Sequence, residues 1–149
     1  MLDSLIVSKK MAEHQKIYLT AESLLRDSFL LAEQILKDGF TPNFIVAVWR
    51  GGTPVGIAVQ ELLQYAGVPT NHIAIRTSYY TGIDETEDSV RVHGLGYLIR
   101  ELNHEDSLLI VDDVFDSGRS IDAIITTLRQ RTRRNMPGDV RVATPWYKP

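Results

Sequence analysis

Leu108-Leu109-Ile110-Val111-Asp112-Asp113-Val114-Phe115-Asp116-Ser117-Gly118-Arg119-Ser120-Ile121 is the stretch on which the fold turns. Four apolar residues, Leu108 to Val111, run without interruption and stop at two carboxylates. A short unbroken apolar run bounded by polar residues is the pattern of a strand covered on both faces. Beyond Ser120, the apolar positions Ile121, Ile124, Ile125 and Leu128 fall at helical spacing. The unit reads as strand, short polar loop, helix. Its loop belongs where a parallel sheet opens a ligand crevice, at the carboxyl end of a strand.

That loop carries two kinds of chemistry. A glycine-containing turn into a helix N-terminus aims backbone N–H groups at one spot, and the helix dipole adds partial positive charge. Ser117 and Ser120 can donate hydroxyl hydrogen bonds, and Gly118 permits a turn that a Cβ would hinder. This half suits a phosphate. Asp112, Asp113 and Asp116 do not; carboxylates suit sugar hydroxyls, Mg²⁺ or a proton in transit. An ordinary strand-to-helix turn needs one capping Asp or Ser, whereas this loop has five such residues. A ribose phosphate satisfies both halves.

A second loop of the same kind stands upstream. Phe44-Ile45-Val46-Ala47-Val48-Trp49 reads as another buried strand, and it ends in Arg50-Gly51-Gly52-Thr53-Pro54. Thr53 as N-cap and Pro54 at the first helical position predict a helix from about Pro54 to Tyr65, closed by Gly67. Arg50 contributes a permanent positive charge and a fork of donors. Taken alone, two glycines and an arginine are also what a tight turn with a solvated side chain looks like. Beside the first anion loop, they indicate a ligand with two anionic ends.

The remaining segments are read more simply. Ile17, Tyr18 and Leu19 form a short strand or an extended lead-in. Thr20 caps a helix over about Ala21 to Lys37, with Gly39 just beyond it and an apolar face of Leu24, Leu25, Phe29, Ala32, Ile35 and Leu36. His72 to Arg76 reads as a third strand. From Thr77 to about His93 the chain is polar and aperiodic, as in a functional lid or a disordered loop. Its acidic run, Asp84, Glu85, Glu87 and Asp88, reads as solvated. Gly94 to Leu102 has helical spacing weakened by two glycines, and Val140 to Thr144 is a further strand. The four histidines show no metal-ligand spacing. Arg129, Arg131, Arg133 and Arg134 suit the C-terminal end of the last long helix.

Ile110 to Ser120 resembles the phosphoribosyl pyrophosphate signature of type I phosphoribosyltransferases, nearest to the purine branch that uses hypoxanthine, guanine or xanthine. Trp49-Arg50-Gly51-Gly52 is similar to that family's pyrophosphate loop, in which the peptide bond before the basic residue is often cis; here that bond is Trp49–Arg50. Ser78-Tyr79 resembles the Ser-Tyr pair of the family's flexible catalytic loop, whose closure excludes water from the cationic sugar. Lys148 stands where the purine branch places a lysine on the exocyclic oxygen of the base. Family members usually continue with a hood bearing an aromatic that stacks on the purine, so the resemblance implies a hood that is short or absent here. Trp146 is an aromatic that would substitute for it, and the reading does not rest on it.

The resemblance implies an α/β fold: a twisted, mostly parallel sheet of four or five strands with helices on both faces, in one phosphoribosyltransferase domain over residues 1–149. It implies a Mg²⁺-dependent transfer of ribose 5-phosphate to a 6-oxopurine, with release of pyrophosphate. Asp116, Ser117, Gly118, Arg119 and Ser120 would hold the 5′-phosphate. Asp112 and Asp113 would take the ribose hydroxyls and orient water on the metal. Trp49, Arg50, Gly51 and Gly52 would hold pyrophosphate, and Asp116 would act as acid/base at purine N7. The family is usually homodimeric. The alternative is a phosphoribosyl pyrophosphate-binding regulator or a catalytically weak relative.

Bulk properties agree. A length of 149 residues suggests one domain. A net charge of −3 lacks the basic footprint of a nucleic-acid partner. With no cysteine, disulfides and thiolate metal sites are excluded. Leu5-Ile6-Val7 is too short for a signal-peptide core, and no apolar run approaches the ~20 residues that span a membrane. A cytoplasmic protein is expected.

Overall fold

Strand β2 (Phe44–Trp49) and strand β5 (Ser107–Val111) lie side by side at the centre of the sheet, parallel, with Ala47 opposite Val111. The computed structural model describes residues 5–10, 16, 18–80 and 89–148. The described elements, in chain order, are β1 (Leu5–Lys10), α1 (Ala21–Lys37), β2, α2 (Gly52–Tyr65), β3 (Asn71–Tyr80), β4 (Ser89–His93), α3 (Gly96–Glu101), β5, β6 (Val114–Phe115), α4 (Arg119–Thr132) and β7 (Asp139–Tyr147). The sheet runs β1-β7-β5-β2-β3-β4, with the two-residue β6 pairing beside β7. All pairings are parallel except β3 with β4.

Alternation along the central strands explains the layers, because successive side chains point to opposite faces. Ile45, Leu109 and Val111 pack with Leu31 and Ile35 of α1 and Val55, Val59 and Leu63 of α2. Val46, Val48, Leu108 and Ile110 pack with Leu98 of α3 and Ile121, Ile124 and Leu128 of α4. Burying each such aliphatic side chain contributes roughly 1.5–3 kcal/mol. A strand apolar on both faces must be covered on both, which is why β2 and β5 read as unbroken runs. No described helix is long and apolar enough to cross a membrane.

Several sequence expectations are corrected. The sheet has seven strands, not four or five. Of the two readings of Ile17 to Leu19, Tyr18 and Leu19 follow the extended lead-in to α1 and are exposed, while Ile17 lies outside the described residues; the N-terminal strand β1 is an addition. Within the segment from Thr77 to His93, the described ends are not irregular: β3 runs on to Tyr80 and β4 (Ser89–His93) pairs antiparallel with it, with Thr77 opposite Val92. The acidic run at 84–88 lies outside the described residues. Helix α1 begins and ends as expected, with a Thr20–Ser23 capping box and Gly39 at φ +71°. Its buried face is different. Asp27, Ser28, Leu31, Ala32 and Ile35 are inside, whereas Leu25 and Phe29 are exposed. Helix α2 starts at Gly52 rather than Pro54, and Thr53 is not its cap; its hydroxyl is buried without a partner among the described residues.

Candidate active site

The two polar loops meet at the carboxyl ends of β2 and β5. The Trp49–Arg50 peptide is cis, and the chain turns at once into α2. Gly51 and Gly52 are pressed against the other loop. A Cβ on Gly52 would lie 2.6 Å from the Val111 carbonyl oxygen and 2.9 Å from Asp112 Cα; one on Gly51 would collide with the Asp113 carboxylate. Position 52 therefore requires glycine, because backbone blocks its Cβ, whereas a Cβ at Gly51 would displace the Asp113 side chain; the contact seats the Arg50 turn directly beside the acidic pair.

Asp112 and Asp113 are each half-buried and fixed by local bonds. Asp112 Oδ1 accepts from the Asp113 N–H at 2.9 Å, and Asp113 Oδ1 accepts from the Val114 N–H at 2.9 Å. The Asp112 N–H donates to the Ala143 carbonyl at 3.2 Å, which ties the turn to β7. Burial, reinforced by the neighbouring Asp113 charge and opposed by the Asp113 N–H, raises the Asp112 pKa from 3.8 to about 7. Among the described residues no three His, Asp or Glu side chains converge as a metal cage.

Beyond β6, Asp116, Ser117 and Gly118 bend into α4. Gly118 has φ +75°, a left-handed conformation that favours glycine, and α4 starts without a side-chain cap. α2 likewise starts uncapped, with Gly51 in the cap position. α1, which does not border the loops, carries a full capping box. The Arg119 N–H lies 3.5 Å from Ser117 Oγ and the Thr53 N–H donates to the Arg50 carbonyl at 3.1 Å, but neither N-cap residue supplies a side-chain cap, and the positive dipole ends of both helices face the loops, which suits an anion. The loop 114–121, with Tyr79 and Asp112, encloses a cleft of about 120 Å³. The Thr77 hydroxyl donates to Ser120 Oγ at 3.3 Å, so the β3 ribbon touches the start of α4.

Ser78 and Tyr79 were expected together on a loop. They are adjacent on β3 and point to opposite faces. Tyr79 lines the cleft, while Ser78 Oγ is bonded to His93 Nε2 at 3.0 Å. Lys148 reaches the acidic loop from the end of β7. Its N–H donates to the Phe115 carbonyl at 2.8 Å, and its ammonium donates to Asp116 Oδ2 at 3.2 Å. Both members of this pair are about 60% exposed, so it contributes little stability and opens cheaply to a ligand. Trp146 does not face the site as a free aromatic; it is buried, and its indole N–H donates to Asp27 at 2.8 Å. His72 is packed against Gly56 of α2, where burial lowers its pKa, away from these loops.

The site therefore comprises two helix-opening anion cradles side by side, a carboxylate pair between them and a Lys–Asp pair at the rim. A family model described as the phosphoribosyl transferase domain matches residues 14–149, and the chain belongs to that family. No curated protein matches it. Among solved structures, a hypothetical protein from Neisseria gonorrhoeae with bound ppGpp superposes with a TM-score of 0.69 at 24% identity, covering 87% of this chain and 70% of its own. L. donovani hypoxanthine-guanine phosphoribosyl transferase gives 0.66 at 20% identity, covering 87% and 74%. Purine phosphoribosyltransferase from Pyrococcus horikoshii gives 0.63 at 22% identity, covering 88% and 84%. At these identities the likeness is one of fold.

Proposed function

We propose that this chain, as a single phosphoribosyltransferase domain, transfers ribose 5-phosphate from phosphoribosyl pyrophosphate to N9 of a 6-oxopurine, releasing pyrophosphate. The observation that carries the reading is the packing of Gly51 and Gly52 against Asp112 and Asp113. It brings two anion cradles within the span of one ligand, with acceptors for ribose hydroxyls between them.

In this reading Asp116 to Ser120 hold the 5′-phosphate through the uncapped start of α4 and the two serine hydroxyls. Arg50, with the N–H groups of Gly51 and Gly52 at the start of α2, holds the pyrophosphate, and Trp49 precedes the turn. As the bond from C1′ to the pyrophosphate oxygen lengthens, that oxygen takes the electron pair and positive charge grows on the sugar. The half-buried Asp112 and Asp113 stabilise that charge electrostatically. Asp116 receives and returns a proton at purine N7. Lys148 leaves Asp116 to donate to the exocyclic oxygen of the base, a bond that the amino group of adenine cannot accept. Tyr79 covers one wall of the cleft and Ser78 braces the ribbon behind it. Each carboxylate of the pair spends one oxygen on a backbone N–H and keeps the other, which fits a Mg²⁺ ion held mainly by water and substrate. When bound, that ion would neutralise charge on the pyrophosphate. A homodimer and a cytoplasmic location belong to the same reading.

The test is pyrophosphate release from phosphoribosyl pyrophosphate and Mg²⁺, with hypoxanthine, guanine, xanthine and adenine supplied one at a time. Release with a 6-oxopurine, lost in Asp116→Asn, is the expected result. Tight binding of phosphoribosyl pyrophosphate with no release for any base would make the chain a sensor and overturn the transfer.

A further inference from the structure

Asp27 is the only charged side chain buried among the described residues, and no step above uses it. It sits on α1, on a helix face otherwise made of Leu31, Ala32 and Ile35. A buried carboxylate needs partners. Oδ2 accepts the Trp146 indole N–H at 2.8 Å, across 119 residues of sequence, and Oδ1 lies 3.4 Å from Nε of its exposed neighbour Arg26. Trp146 is held a second time through its carbonyl, which accepts from the Thr144 hydroxyl at 2.9 Å.

Two residues past Trp146 stands Lys148. Its N–H is bonded to the Phe115 carbonyl, the Tyr147 ring stacks on Phe115 at 5.9 Å, and its ammonium meets Asp116. These contacts join the end of β7 to β6 and the acidic loop. Backbone pairing of Trp146 and Tyr147 with β1 on one side and β6 on the other sets the course of β7, and its last pair is at Tyr147. The bond from the Trp146 indole to Asp27 adds a side-chain tie to a separate helix. We propose that Asp27 is a positioning residue for base recognition: its bond to Trp146 ties α1 to the end of β7 and fixes where Lys148 stands opposite Asp116. The proposal rests on the base-binding role given to Lys148 above.

The prediction separates the two substrates. Arg50, Gly51 and Gly52 are held by β2, β5 and their helices, and the loop before α4 by the backbone pairing of β6 with β7, which does not depend on the Trp146 side chain. Losing the strut therefore displaces the base contact and spares phosphoribosyl pyrophosphate. Three variants test this. Trp146→Phe keeps an aromatic ring and removes the donor, Asp27→Leu removes the acceptor, and Asp27→Asn keeps an acceptor oxygen. Trp146→Phe and Asp27→Leu are expected to raise the KM for the 6-oxopurine about tenfold while the KM for phosphoribosyl pyrophosphate stays within about twofold. Asp27→Asn should restore the wild-type value. In parallel, amide hydrogen exchange at Lys148, read by NMR, should accelerate about tenfold in Trp146→Phe, with the interior amides of α2 unchanged.

Parallel loss of both substrates, or a base KM unchanged in folded Trp146→Phe, would overturn the proposal. The exchange measurement needs no turnover. If the wild type transfers to no base yet exchange at Lys148 accelerates, the transfer reading falls and the strut stands. If transfer occurs and neither the base KM nor the exchange responds, the strut falls and the transfer reading stands.

Discussion

Gly52→Ala adds one methyl group at the most crowded point between the two loops. That Cβ would lie 2.6 Å from the Val111 carbonyl oxygen, where ordinary contact begins at 3.4 Å, so about 0.8 Å must be found. Neither neighbour yields easily. Val111 pairs with Ala47 on one side and Ala143 on the other, and the second close atom is the Cα of Asp112. Overpacking of this kind costs about 1–3 kcal/mol, against which the better helix propensity of alanine returns up to about 1 kcal/mol. For a chain of this size the net loss corresponds to a fall of several degrees in Tm, on the order of 2–8 °C. The functional loss should be larger, because the methyl pushes the Arg50 turn away from Asp112 and Asp113. Affinity for pyrophosphate with Mg²⁺ should drop about tenfold or more. Gly96→Ala is the matched control: the nearest atom to its Cβ is the Arg100 side chain at 3.6 Å, ordinary contact. Thermal unfolding and calorimetric titration with pyrophosphate read both variants. Gly52→Ala with wild-type Tm and wild-type affinity would refute the close packing of the loops.

Asp112→Asn should show a pH signature. The folded pKa of Asp112 is raised, mainly by burial, so the folded state holds its proton more tightly than the unfolded chain. That contribution is complete below about pH 4 and is lost as pH rises towards 7, so in metal-free buffer the Asn variant should gain about 2–3 kcal/mol on the wild type between pH 5 and pH 8. Urea unfolding at the two pH values measures it; a difference independent of pH contradicts the burial. Lys148→Met should raise the KM for a 6-oxopurine about tenfold or more, the worth of a hydrogen bond to a charged group, and narrow the preference over adenine in a base-competition assay. Arg50→Ala should weaken phosphoribosyl pyrophosphate by about 10–100-fold in a filter-binding measurement while leaving a nucleoside 5′-monophosphate nearly unaffected.

What could be read from the chain divides by range. β2, β5, α1 and α4 announce themselves because each carries its own complete local pattern: an unbroken apolar run, or helical spacing with a start signal. The edges do not. Leu5 to Lys10 has three apolar residues and is a strand because β7 pairs with it. Ser89-Val90-Arg91-Val92-His93 does alternate, but the polar run hid it, and only its pairing with β3 makes it a strand. Val114–Phe115 is too short to signal at all. The buried face of α1 is hidden in the sequence because Asp27 and Ser28 interrupt the apolar stripe; the spacing of Leu24, Asp27, Leu31 and Ile35 is helical throughout, and the polar residues mask it.

The candidate site divides the same way. Asp112 to Ser120 and Arg50 to Gly52 were legible because glycine, hydroxyl and carboxylate occur at a strand end before a helix. Their adjacency was not, since it depends on β2 and β5 being neighbours in the sheet. Nor was the separation of Ser78 from Tyr79, which follows from a strand's alternation once β3 is known to extend through them. The buried Asp27–Trp146 bond spans 119 residues and had no local signal.

The two loops are expected to form one site for a ligand with two anionic ends. Calorimetric titration with phosphoribosyl pyrophosphate and Mg²⁺, repeated with the protein first saturated by pyrophosphate or by a nucleoside 5′-monophosphate, tests it directly. A single site per chain is expected, with each half-ligand competing against the whole. Binding that neither half-ligand displaces, or two independent sites per chain, would contradict it.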